Sequence, residues 1–184
     1  MSENQLLRLA SRLHAAHQRA FMLARRYLGR DALPLLARLT LAGVFWRSLL
    51  TKVETVKLLT WTELINDFPV ERARLRLPDF PLTLRSAALQ QFETDFVLPL
   101  IPPGLAVWIA TLAEFILPIL LLLGLATRLS ALALVGMTLV IQVFVYPDAW
   151  WPTHALWIVI AGYLALNGPG RASIDHWAGP VFAR

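Results

Sequence analysis

The sequence predicts an all-α polytopic membrane protein, an antiparallel four-helix transmembrane bundle with an N-terminal amphipathic helix. Three observations lead there. Of its 184 residues 57% are hydrophobic and 16% charged, at a mean hydropathy of +0.57, whereas soluble domains carry about 25% charged residues. Four apolar runs, near 33–53, 105–125, 128–146 and 152–166, reach or approach the ~20 residues that cross a ~30 Å hydrocarbon core at about 1.5 Å per residue. The run 105–125 is almost wholly apolar except for one acid at its centre, Glu114.

Residues 1–32 read as a basic membrane-surface helix. They hold Arg8, Arg12, Arg19, Arg25, Arg26 and Arg30 against only Glu3 and Asp31. At about 100° per residue, all of these arginines except Arg25 fall within about 40° of one another, with leucines and alanines on the opposite arc. Such a stripe suits an anionic bilayer. A nucleic-acid-binding arm is the rival reading, and the neighbouring spans make the membrane the simpler one. The stretch lacks the compact apolar region and small-residue cleavage site of a signal peptide, so none is expected.

The transmembrane domain is placed at 33–168. Its first span opens with Pro34, suited to a first helical turn. Arg38 lies near its start, Arg47 deeper, and Lys52 where it would snorkel from the far end. An insertion at about 54–104 carries Pro69, Pro78, Pro81, Pro99, Pro102 and Pro103; within it, 86–98 is predicted as a short helix capping the bundle. The third span closes at Pro147, and Trp150, Trp151 and Trp157 around the next turn fit an interfacial aromatic belt. Gly168, Pro169 and Gly170 end the fourth span, leaving 169–184 as a tail. The N-terminal arginines, Arg128 and Arg171 fall on one side, and the turn at 147–153 has no Lys or Arg. The positive-inside rule then predicts a multi-pass bacterial inner-membrane protein with both termini cytoplasmic and the insertion extracytoplasmic.

Glu114 is the leading site residue. A carboxylate at mid-membrane costs several kcal/mol unless it is protonated, paired or facing a polar cavity. Pro118, four residues on, has no N–H for the Glu114 carbonyl. Two readings stay open: a proton-exchanging or ligand-orienting carboxylate, or a clamp tying two spans together. Arg47 and Gln142 are expected near its level as partners, the three forming a candidate ligand or proton site. Arg38, Lys52 and Arg128 read as interhelical pairs or topology anchors. His154 is a further ligand candidate, although an aromatic interfacial cap accounts for it more simply. No metal site is expected, because no dense ligand spacing occurs. The absence of cysteine excludes disulfides, thiol chemistry, iron–sulfur ligation and c-type haem attachment. No dinucleotide, Walker, nucleophile-elbow or HExxH motif occurs, so no soluble-enzyme mechanism is supported.

Four segments carry a resemblance: RLTLAGVFWRSLLTKV (38–53), LIPPGLAVWIATLAEFILPILLLLGLATRLSALAL (100–134), MTLVIQVFVYPDAWWPTH (137–154) and LNGPGRASIDH (166–176). Over roughly 35–177 the chain resembles the DoxX family of small bacterial four-helix membrane proteins. Glu114 matches that family's second-span acid, and Gly124, Thr127 and Arg128 its Gly-Leu-x-Thr-Arg turn. Lys52 matches the lysine closing a Ser-Gly-Leu-x-Lys pattern, in which Leu49 here stands where glycine is usual. The resemblance implies association with membrane redox systems. Related proteins are named for a subunit of an archaeal thiosulfate:quinone oxidoreductase, and others are linked to complexes with soluble redox partners.

The expectation is therefore a non-catalytic or quinone-facing membrane subunit of a redox system, not an enzyme alone. Quinone is the one cofactor considered. The partners are the bilayer and soluble redox proteins, with no nucleic acid. One alternative is a small transporter or permeability factor, acting as a homo-oligomer, with Glu114 and Arg38 lining a polar path. Another is a structural assembly protein.

Overall fold

The computed structural model describes residues 13–22, 25–65 and 68–182. Positions 13–22 are helical and exposed throughout. The arginine stripe expected along the N-terminal helix includes Arg8 and Arg12, which lie outside the described residues. A wider helical stretch, Arg25–Ala32, leads into α1 (Leu33–Lys52).

After α1 come the strands β1 (Thr55–Ile65) and β2 (Phe68–Pro78), then α2 (Ser86–Thr94), α3 (Pro103–Leu123), α4 (Thr127–Phe144), α5 (Ala155–Asn167) and α6 (Ile174–Phe182). Counting the tight turn and the wider π turn that lead into α5, four helical segments are long and apolar enough to cross a membrane: Leu28–Lys52, Pro103–Leu123, Thr127–Phe144 and Pro147–Asn167. The turns Pro147–Ala149 and Trp150–His154 thus lengthen the fourth span beyond its sequence run. Proline sets several ends. Pro34 and Pro103 occupy first turns, where a missing N–H costs nothing.

Contacts run round a ring: α1 packs on α3 and α5, and α4 on the same two. Small residues at these contacts (Ala37, Ala42, Ala131, Ala161) let backbones approach closely beside Leu41, Phe45, Leu121, Leu134 and Leu164, as membrane helices require when no hydrophobic drive operates between them. The leucines left exposed, such as Leu112, Leu122, Leu132 and Leu156, are those a hydrocarbon solvent would cover. Two buried hydroxyls are satisfied within their own helices: Thr111 and Thr138 donate to the carbonyls of Val107 and Leu134, each at 2.7 Å.

The chain is not all-α, and this corrects the expectation. Residues 55–65 and 68–78 form the two strands of an antiparallel hairpin, in constant register from Thr55↔Pro78 to Ile65↔Phe68. The reason is legible afterwards: TVKLLTWTELI is rich in β-branched residues and an Asn-Asp turn signal follows it. The register sets Val56 beside Leu77 and Leu58 beside Leu75 on one face. Beyond the hairpin, Phe80 returns to lie edge-on to Phe115 of α3 at 5.8 Å, and Phe115 also meets Trp46 of α1. Helix α2 then buries Ala88 and Phe92 against Ala106 and Val107, closing that end of the ring.

Candidate functional site

Glu114 is 1% exposed and faces α1. Residues 48 and 52 are one turn apart, about 40° round the helix, so Ser48 and Lys52 share the face that looks at it. Lys52 Nζ donates to Oε1 at 2.9 Å and to Oε2 at 2.8 Å. Ser48 Oγ donates to Oε1 at 2.8 Å and accepts from Lys52 Nζ at 3.0 Å. The ammonium's three donors are used and both carboxylate oxygens are satisfied. Lys52 therefore reaches inward from the end of α1 rather than snorkelling outward. The carboxylate and ammonium neutralise each other across two helices.

The partners expected of Glu114 are elsewhere. Arg47 is exposed because it sits about 100° round the helix from Ser48, which turns it off the α3-facing side. Gln142 pairs instead with His154, its Oε1 lying 2.7 Å from His154 Nδ1; the amide oxygen is an acceptor, so Nδ1 carries the proton. Gln142 Nε2 donates to the Pro147 carbonyl. His154 is 3% exposed and lies against Trp157, ring centroids 5.2 Å apart, which in turn meets Phe45. Two of the sequence candidates are thus brought together, but as a clasp on the α4–α5 corner. Among the described residues no three His, Cys, Asp or Glu side chains gather to hold a metal ion.

Arg38 is also fully buried, at 1% exposure, and it holds the opposite end. Its Nε and Nη2 donate to the Leu121 and Leu122 carbonyls at 2.6 and 2.7 Å. Its Nη1 donates to Pro169 and Ala172 carbonyls at 3.1 and 2.7 Å. The last carbonyls of a helix lack intrahelical partners and carry the negative end of the helix dipole. The guanidinium fills both needs at the end of α3 and stitches on the segment after α5. Gly124 permits this. Its φ is +66°, and a Cβ there would collide with Ser173 Cβ and lie 2.9 Å from the Arg38 guanidinium carbon.

Asp175 completes the knot. Its carboxylate accepts from the Ala126 and Thr127 N–H groups at 2.7 and 2.8 Å, capping α4 from a distant part of the chain, while its own N–H bonds the Gly124 carbonyl. Ser173 Oγ accepts from the His176 N–H at the start of α6. Sequence reasoning missed Ser48 and Asp175. A serine one turn before a lysine is a weak signal, and a cap supplied from 49 residues away leaves none.

The DoxX family model matches residues 33–147, well over half of the chain. The chain belongs to the DoxX family. No curated protein and no solved structure matches it. With four apolar helices of spanning length, this DoxX protein is an integral membrane protein. The motif residues that carried the resemblance fall into the two polar knots: Lys52 and Glu114 in one, Gly124 and Thr127 in the other. Leu49, where the DoxX pattern usually has glycine, is completely buried, so this position is filled by a side chain. Arg128 is exposed and lies beside Gly168 at the end of α5.

The two knots do not meet. Leu41, Ala42 and Phe45 on α1 and Pro118 and Leu121 on α3 are buried between them, so Arg38 and Glu114 do not line a shared polar path. An apolar groove of about 300 Å³ runs between α2, α3 and α4, lined by residues including Phe92, Ile109, Ala113, Met137 and Val140. Glu114 does not line it. Ala113 and Leu117 present that side of α3 while Glu114 faces α1.

Proposed function

We propose that this DoxX protein is a non-catalytic membrane subunit that anchors soluble redox partners, with Glu114 serving as an interhelical clamp. The observation that carries this is the network of Ser48, Lys52 and Glu114: every donor of the ammonium is engaged and each carboxylate oxygen holds at least one bond to α1, which is the arrangement a clamp between two helices needs. Redox chemistry would belong to the partner or to a quinone. The antiparallel bundle is read as lying in the inner membrane with the Arg38 end cytoplasmic. Arg30, Arg128 and Arg171 gather at that end, which supports this by the positive-inside rule. The hairpin end is then extracytoplasmic.

The test is to purify the protein from native membranes in mild detergent, identify stoichiometric partners by mass spectrometry, and measure quinone reduction in the membranes. A soluble oxidoreductase should co-purify. A paired Lys52→Met, Glu114→Gln variant that folds and assembles should keep the activity. Loss of activity in that assembled variant would instead give Glu114 a chemical role.

A quinone-facing role has one observation in its favour, the apolar groove beside α2, whose size and lining suit an isoprenoid chain. On that reading a photoreactive quinone labels α3 or α4 at the groove, and Met137→Trp, which fills it, abolishes labelling. Labelling at Ser48 or Lys52 would move the site back to Glu114.

A further inference from the structure

A cavity of about 670 Å³ opens at the Arg38 end, between the helical stretch Arg25–Ala32, the α3–α4 turn and the end of α5. That volume is typical of sites that enclose small ligands. Among the described residues its wall carries Arg30, Arg128 and Arg171 against one carboxylate, Asp175, and both Asp175 oxygens are already held by backbone N–H groups. Arg171 approaches Asp31 only to 3.8 Å. Neither Arg30 nor Arg128 has an ion-pair partner among the described residues.

A second, independent observation lies in the same wall. Thr127 is 0% exposed, and its Oγ1 has no hydrogen-bond partner among the described residues. A buried hydroxyl left unpaired is costly and calls for an explanation. Thr127 also opens α4, an 18-residue helix; Asp175 takes the Ala126 and Thr127 N–H groups there, and the positive end of the helix dipole adds to the charge of the arginines. Arginine suits phosphate in particular, because its planar fork binds oxyanions bidentately. Leu129, 71% exposed, gives the same wall an apolar element.

We infer that this cavity is a phosphate-binding site, built for the headgroup of an acidic phospholipid or for the same oxyanion free in solution. Arg128 and Arg30 supply the charge, and the Thr127 hydroxyl supplies a donor that the fold itself does not use. The site is independent of the redox reading, since it shares no residue with the Glu114 clamp.

The experiment uses delipidated full-length protein in a neutral detergent. Thermal unfolding is followed on adding phosphatidylglycerol, phosphatidylcholine or inorganic phosphate at matched ionic strength. Phosphatidylglycerol should stabilise saturably and phosphatidylcholine should not. Arg128→Gln should weaken the apparent affinity about tenfold, the scale of one charge-assisted hydrogen bond. Thr127→Val conserves volume and removes only the unpaired hydroxyl, so without lipid it should be at least as stable as wild type, yet bind more weakly. Saturable stabilisation by inorganic phosphate, lost in the same variants, would support the site and assign it to a free oxyanion. Equal effects of the two lipids, or phosphatidylglycerol binding unchanged in Arg128→Gln and Thr127→Val, would overturn the inference. Should Arg128→Gln fail to purify, Arg30→Gln and Thr127→Val decide it in the same assay.

Discussion

Removing Lys52 should be far more damaging than removing Glu114, although the two residues form one ion pair. At 2.8 Å and an effective dielectric of ~20 the Coulomb attraction is about 6 kcal/mol. Desolvation of two ions costs several kcal/mol each, so the intact pair contributes little net stability. The single variants differ because the survivors differ in freedom. Glu114, with 2% side-chain exposure, is fixed mid-helix and cannot reach water once Lys52 is gone; Lys52→Met should cost about 3–5 kcal/mol. Lys52, the last residue of α1, is 13% exposed at its side chain and has a flexible stem. In Glu114→Gln it can turn to the interface, so the loss should be about 1–2 kcal/mol. The double variant should fall within about 2 kcal/mol of wild type, giving a coupling energy of at least ~2 kcal/mol. SDS-induced unfolding in mixed micelles, followed by fluorescence of the seven tryptophans, measures all four proteins. A Lys52→Met variant as stable as wild type, or single effects that simply add in the double, would refute the clamp.

The other knot makes predictions of its own. Arg38→Lys should lose at least two of the four carbonyl contacts, because a point ammonium cannot span them, and destabilise by about 3 kcal/mol in the same unfolding assay; a wild-type midpoint would contradict the stitch. Gly124→Ala combines a left-handed φ with a Cβ clash and should cost at least ~2 kcal/mol, whereas Gly136→Ala, where a Cβ meets nothing within 4 Å, should be neutral or slightly stabilising; equal effects at the two sites would be inconsistent with this account. Asp175→Ala removes the α4 cap and should cost about 1–2 kcal/mol, with hydrogen exchange rising at the Ala126 and Thr127 amides and not at the Glu114 end.

Apolar run length and the positions of proline and glycine were enough to place the four spans, because a helix must cover the hydrocarbon by itself and its ends are local events. The same local logic marked Glu114 as an anomaly, and the family resemblance marked Gly124, Thr127 and Arg128 as a turn. One local feature is absent from that reading: 54–104 is taken there as an insertion with one short helix, whereas 55–65 and 68–78 pair as strands, a signal carried by the β-branched residues of 55–65. Only the tertiary structure decided who partners whom. Arg47 and Lys52 are both cations near the end of α1, and the sequence reading assigns Arg47 to Glu114 and leaves Lys52 as an anchor. Helical phase turns one away from α3 and the other towards it, and which phase faces α3 depends on how the whole ring is rotated. Gln142 closes on His154, Arg38 takes carbonyls rather than a carboxylate, and Asp175 caps a helix 48 residues back. Such pairings join residues far apart in the chain, so their energies appear only once apolar packing has fixed the distances between helices.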